Sequence, residues 1–278
     1  MSVSGSPSDA ELDEMERVAV DLARLAGAEI QGALGRTLAI RYKGADAETV
    51  SFRDPVSEVD QRAETLIRDR LAELYPGHGI LGEEYGATAA DPDGCIWAVD
   101  PVDGTANFIN GFPLFAACIG VVHRGVPIVG AIWCSSSHAL RPGIYHARRG
   151  GPLRFEDERL DRVANPAIRR RLAGEPEPVP ATGPYESRKT GSAAIECAFV
   201  AAGLLSVARF ASLNPWDVAA GIVLVEAAGG QALTRRTAEG GWVPFETFTP
   251  GRDDDLQGWR QPLLIGRPDD LALYRRTA

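Results

Sequence analysis

The stretch from Ile96 to Phe108 holds side chains that could do chemistry. An apolar run ends on the carboxylate of Asp100, Pro101 follows, and Asp103 comes three residues after Asp100. Proline cannot donate to a sheet ladder, so Pro101 is expected to force the chain out of a strand. A bend there can turn both carboxylates toward one point. Gly104 permits dihedrals that other residues avoid, and Thr105 and Asn107 can open a helix. Backbone N–H groups at a helix start suit phosphate oxygens. Two converging carboxylates repel each other and call for a cation; a hard ion with oxygen ligands fits, Mg²⁺ first among them. The same string also reads as an ordinary strand-to-loop turn. The ligand alternation of an EF-hand loop is absent.

Other acids stand where they could join this pair. Glu83 and Glu84 follow the short apolar run Gly79–Leu81 and Gly82. The segment Asp54–Asp60 introduces a helix, with Asp60 in its first turn. Trp216 and Asp217 open a later one. Taken singly, each has a plain use: Glu83 and Glu84 as solvated loop residues, Asp60 and Asp217 as acids favoured by a helix N-terminus.

The elements that must position these residues follow from periodicity. Ser8 and Glu11 read as a capping box, and Leu12, Met15, Val18, Ala19, Leu22, Leu25 and Ala26 keep helical spacing, which predicts a helix over 9–33. A second helix is predicted over 57–74, stopped by Pro76 and Gly77. Strands are expected at Cys95–Asp100, Leu114–His123, Val126–Cys134 and Ile144–Ala147, with Arg124 and Gly125 as a tight hairpin turn. Residues 152–184, rich in arginine, proline and glutamate, are expected to form a helix or loop crossover. Gly191–Ala202 reads as a helix and Leu205–Phe210 as a strand. Asn214 then caps a helix whose first residue is Pro215 and which ends on Gly229 and Gly230. A late strand, Pro262–Gly266, precedes a terminal helix. The fold class is α/β, divided into an α+β half with an antiparallel sheet (1–150) and an α/β half (151–278).

Composition narrows the classes. The chain has 278 residues, 45% hydrophobic and 24% charged, ample for a large core. No apolar run is long enough to span a membrane. The polar, acidic N-terminal stretch lacks the pattern of a signal peptide, so residence in the cytoplasm is the expectation. Cys95, Cys118, Cys134 and Cys197 form no CxxC pair and read as buried thiols; the four histidines form no zinc pattern. A net charge of −9 argues against a nucleic-acid polymer or an anionic membrane as partner. It also means that a phosphate substrate would need positive potential concentrated locally.

Together, the segments Asp54–Asp60, Gly82–Glu84, Asp100–Phe108, Gly191–Ala193 and Trp216–Gly230 resemble the inositol monophosphatase family of lithium-sensitive, magnesium-dependent phosphatases. The resemblance implies a layered α/β/α/β/α sandwich, two or three Mg²⁺ ions, a small-molecule phosphate ester as substrate and a homodimer. It implies that Glu83, Asp100, Asp103, Asp217 and the backbone carbonyl of Val102 bind metal. Gly104 and Thr105 match the phosphate-binding turn. Thr105 and Asp60 match the pair that positions and deprotonates the attacking water, with Glu83 beside them.

On the leaving-group side, the resemblance places Gly191, Ser192 and Ala193. Inositol-selective members carry an acid seven residues before the aspartate of the Trp-Asp motif; here that position is Phe210. A phenyl ring cannot accept hydrogen bonds from a polyol. Arg188, with Lys189 and Arg209 nearby in sequence, could meet an anionic leaving group. Histidinol phosphate, fructose 1,6-bisphosphate and 3′-phosphoadenosine 5′-phosphate stay open as substrates, as does a non-catalytic metal- or ligand-binding protein on the same fold.

Overall fold

The computed structural model describes residues 5–42, 55–91, 94–161, 165, 167–176, 184–235, 240–249 and 255–277. Asp54 lies outside them. In chain order the first elements are α1 (Asp9–Ala33), β1 (Ile40–Tyr42), β2 (Pro55–Ser57), α2 (Glu58–Leu74), β3 (Gly79–Gly82), β4 (Gly86–Thr88), β5 (Ile96–Asp103) and α3 (Thr105–Ile109). Next come β6 (Ala116–His123), β7 (Val126–Cys134), β8 (Gly143–Arg148), β9 (Arg154–Phe155), β10 (Glu158–Arg159), β11 (Arg171–Gly174) and β12 (Tyr185–Arg188). The chain closes with α4 (Ala193–Ala202), β13 (Val207–Phe210), α5 (Pro215–Ala227), β14 (Gln231–Thr234), β15 (Val243–Pro244), β16 (Leu263–Gly266) and α6 (Pro268–Thr277).

Helix α1 begins where its capping box dictates. Ser8 N–H donates to the Glu11 carboxylate at 2.7 Å, and Glu11 N–H donates back to the Ser8 hydroxyl at 3.3 Å. Its stripe of Leu12, Met15, Ala19, Leu22, Ala26 and Ile30 is buried. Together with Ala63, Ile67 and Leu71 of α2, it covers one face of an eight-stranded sheet, ordered β10-β9-β8-β7-β6-β5-β3-β4. That sheet is antiparallel except where β3 runs parallel to β5. On its other face lie α4 and α5, which also touch the second sheet, β12-β11-β13-β16-β14-β15. Helix α5 is buried nearly all round, as a helix in a middle layer must be. Helix α6 covers the outer face of the second sheet through Leu271 and Tyr274. The result is the five-layer α/β/α/β/α order.

Two elements differ from the sequence-based expectation. Strand β5 does not end before Pro101. It continues to Asp103 through a register shift, pairing Asp100 with Cys118 and then Asp103 with Ala116. The extra residue forms a bulge, which accommodates a proline that has no N–H to give. Among the described residues of 152–184 there is no helix; strands β9, β10 and β11 lie there instead, and β12 begins just after, at Tyr185. The hairpin between β6 and β7 is tight as expected, with Arg124 at φ 49° and Gly125 at φ 78°. All four cysteines are buried free thiols.

Candidate active site

The β5 bulge is where the candidate residues gather. Bending the strand at Pro101 leaves Asp100 and Asp103 both nearly buried, 2% and 8% exposed. Asp100 folds back to accept the Val102 N–H at 3.0 Å. Gly104 then takes φ 87°, ψ 38°, a left-handed conformation that reverses the chain into α3 and strains any side chain. The first residue of α3 is Thr105. Its hydroxyl lies 2.9 Å from the Val102 carbonyl and 2.9 Å from Asp60 Oδ1. A hydroxyl has one proton, so it can donate to only one of these at a time.

Asp60 reaches this point because it is the third residue of α2. It closes a capping box, accepting the Ser57 N–H at 3.0 Å and the Ser57 hydroxyl. Burial pushes its carboxyl above the usual range, opposed by the hydrogen bonds from Ser57 and Thr105. Asp217 occupies the same place on α5 and accepts the Asn214 N–H at 2.7 Å. Glu83 follows the end of β3, where its N–H donates to the Val99 carbonyl of β5 at 3.1 Å. The parallel β3–β5 pairing therefore carries Glu83 to the end of β5 that bears Asp100.

Asp103 is held at the start of α4. Its carboxylate accepts N–H groups from Ala194 at 2.7 Å and Ala193 at 3.2 Å, and the Ser192 hydroxyl. Ser192 also caps α4 by accepting the Ile195 N–H at 3.2 Å. The Gly191 to Ala193 segment thus touches the carboxylate cluster directly. It is anchored from the α3 side by Asn107, whose side-chain amide donates to the Thr190 carbonyl at 2.8 Å.

The acids feel one another. Burial, then Glu83, Asp103 and Asp217, raise Asp100 well above the carboxylate range. Burial pushes Asp103 up to about 6 against the pull of its hydrogen bonds, and Asp217 up to about 7 with Asp103 as the next cause. Buried like charges of this kind are what a divalent cation relieves, and the donors are all hard oxygens. The set fits magnesium in chemistry. Among the described residues, however, no three such side chains converge as placed on a single ion position. Asp103 in particular is turned toward α4.

The leaving-group candidates are more scattered. Phe210 ends β13, pairs with Leu263 and is 6% exposed, within the apolar layer that also contains Trp216. Arg188 ends β12 and pairs with Glu186 at 3.0 Å. Arg209 is committed to Glu175 at 2.9 Å. A cavity of about 440 Å³ lies at the opposite end of the first sheet, lined in part by Glu11, Tyr75, His78, Cys95 and His123; it holds none of the site acids.

Sequence reasoning read Asn214 as a helix cap and placed a helix start near Ser57, but missed that these two residues, with Thr190 and Glu64, hold the site acids and their turns. Only their contacts reveal that role.

Comparison with known proteins bears on the family and the fold. An inositol-1-monophosphatase of Rhizobium meliloti (strain 1021) is 34% identical over 231 residues, covering 76% of this chain and 84% of that protein. One of Mycobacterium tuberculosis (strain ATCC 25618 / H37Rv), named Inositol-1-monophosphatase SuhB, is 33% identical over 275 residues, covering 89% and 93%. The solved IMPase of Thermotoga maritima superposes with a TM-score of 0.71 at 24% identity, covering 95% of this chain and 98% of that one, which supports the fold. Residues 11–249 match the sequence profile of the inositol monophosphatase family. The chain therefore belongs to the inositol monophosphatase family, and is a phosphatase of that superfamily.

Proposed function

We propose that this phosphatase hydrolyses a small phosphate monoester in a magnesium-dependent reaction, with water as the nucleophile. The observation that carries the reading is the Thr105 hydroxyl, hydrogen-bonded to buried Asp60 beside acids that raise one another's pKa. Glu83, Asp100, Asp103, Asp217 and the Val102 carbonyl would hold magnesium, which when bound neutralises phosphoryl charge and acidifies a bound water. Thr105 orients the water through its hydroxyl, and Asp60, whose raised pKa suits a proton acceptor, takes the proton through it. Glu83 stands beside them. The N–H groups of Gly104 and Thr105 are suited to the phosphate oxygens. No covalent nucleophile is required.

The relatives named inositol-1-monophosphatase make inositol 1-phosphate the first ester to test. Phe210 in place of a polyol-binding acid argues for relaxed selectivity, with Gly191, Ser192, Ala193 and Arg188 bordering the leaving group. Histidinol phosphate, fructose 1,6-bisphosphate and 3′-phosphoadenosine 5′-phosphate belong in the same panel. The panel is run with magnesium, with EDTA and with lithium, and the oligomeric state is read alongside for the expected homodimer. Phosphate release that needs magnesium and is inhibited by lithium is expected. Full turnover after exhaustive chelation overturns the magnesium reading. No turnover on any ester, with magnesium binding intact, favours a binding protein on this fold.

A further inference from the structure

One turn of α2 beyond Asp60, Glu64 is 0% exposed and takes no part in the proposed chemistry. It lies on the same helix face as Asp60, as a spacing of four requires. Its carboxylate crosses to the turn that follows β3. There Oε2 accepts the N–H of Glu84 at 2.8 Å and Oε1 accepts the N–H of Tyr85 at 3.2 Å. Arg68, a further turn along α2, donates its Nε–H to Oε1 at 2.8 Å. Its terminal nitrogen donates to the Gly86 carbonyl on the far side of the same turn. A Cβ on Gly82 would stand 2.0 Å from Glu64 Oε1, so the carboxylate lies against the bare backbone just before Glu83. Both partners are withdrawn from solvent, Arg68 to 16% exposure.

A buried carboxylate is costly unless paired and fully hydrogen-bonded. Here the pairing is aimed at the backbone of Glu84, Tyr85 and Gly86, directly after Glu83, while the carboxylate packs against Gly82 directly before it. We infer that Glu64 and Arg68 are positioning residues, which fix the Gly82–Gly86 turn to α2 and thereby set the direction of the Glu83 side chain. Asp60 and Glu83 are then referenced to one rigid helix. The inference rests on the reading of Glu83 as a magnesium ligand for its metal arm only. Two adjacent N–H donors need two acceptor oxygens side by side, and a carboxylate supplies them. Glutamine supplies one, and turns an N–H₂ group toward the other donor.

The test uses full-length Glu64→Gln and Arg68→Lys. Hydrogen exchange of the Glu84 and Tyr85 amides is followed in metal-free protein. Magnesium affinity is measured by calorimetry, kinetics are run across magnesium concentration, and folding is checked by thermal melts. Exchange at both amides should accelerate about tenfold or more in Glu64→Gln, and magnesium affinity should fall by about 10-fold or more, the scale of losing a group that orients a metal ligand. Saturating magnesium should recover most of kcat, which a general loss of stability would not allow. Arg68→Lys keeps the charge and loses the fork, so it should show the same pattern more weakly; it carries the test if Glu64→Gln does not fold. Wild-type exchange and wild-type magnesium affinity in a folded Glu64→Gln overturn the inference, as does a wild-type Arg68→Lys. A wild-type enzyme that hydrolyses no ester refutes the phosphatase reading and leaves the exchange and calorimetry to decide this one.

Discussion

Thr105 and Asp103 sit two residues apart and are expected to fail differently. The Thr105 hydroxyl touches Asp60 and Val102, whereas Asp103 is a charged member of the acid cluster. Thr105→Ala should leave most magnesium affinity intact and lower kcat by roughly 10²-fold or more, the scale of lost positioned proton transfer. Asp103→Asn should weaken magnesium binding and nearly abolish turnover. Calorimetry with steady-state kinetics separates them; equal loss of magnesium affinity in both would show the roles are misassigned. Phe210 sets a second expectation at this scale. Its ring is buried against Leu263, so nothing at that position can accept a polyol hydrogen bond. Apolar surfaces discriminate weakly among hydroxylated ligands. The ratio of kcat/KM for inositol 1-phosphate to that for other esters should therefore stay within about tenfold, or about 1.4 kcal/mol. A strong preference for inositol 1-phosphate across the panel would sink this reading. Phe210→Glu buries an unpartnered acid, so its selectivity has meaning only beside its melting temperature.

Helices α1 and α2 begin with the same device and differ in what it carries. Ser8 with Glu11 is exposed and remote from the acids; Ser57 with Asp60 is buried and joins Thr105. Ser8→Ala and Ser57→Ala should each cost about 1 kcal/mol of stability, the usual value of an N-cap. Only Ser57→Ala should also lower kcat, because Asp60 loses the partner that fixes its carboxylate. Denaturant melts and kinetics on the two variants check this; an equal effect on kcat would count against Asp60 as the proton acceptor. The pair also shows what was legible in the sequence. Asp60 and Asp217 read as first-turn helix acids or as site residues; in the structure each closes a capping box from the third helical position, Asp60 also bonding Thr105 and Asp217 also feeling Asp103. The helix starts at Ser8, Ser57 and Asn214 were readable because capping is local chemistry. The bulge at Pro101 was not, since whether a proline ends a strand or is absorbed depends on pairing with β6. The strands in 152–184 were hidden for the same reason, being short and specified by neighbours. Glu64 was invisible as a support because its partners, the amides of Glu84 and Tyr85, lie twenty residues on.

Across the whole molecule, a buried group of acids is balanced against a layered core. Asp60, Asp100, Asp103, Asp217 and Glu196 all have carboxyls raised by burial, Asp103 to about 6 and Asp217 and Glu196 to about 7, from ordinary values of 3.8 and 4.5. Between the ordinary and the raised values, the folded state binds more protons than the unfolded chain. Stability of the metal-free protein therefore falls as pH rises through that window. Burial holds His78 and His138 below 6.5, which has the opposite sign, because the unfolded chain then binds more protons near that pH. A variant isolates the acids. Melting temperatures of metal-free wild type should fall more steeply from about pH 5 to about pH 7.5 than those of Asp103→Asn/Asp217→Asn, where two titrating carboxyls are gone. Magnesium should flatten the wild-type curve and leave the variant unmoved, since a cation that binds the ionised acids replaces the protons they would otherwise keep. Parallel curves for the two proteins without metal would mean that these acids are not forced together in the folded state. The electrostatic basis for placing magnesium there would then be lost.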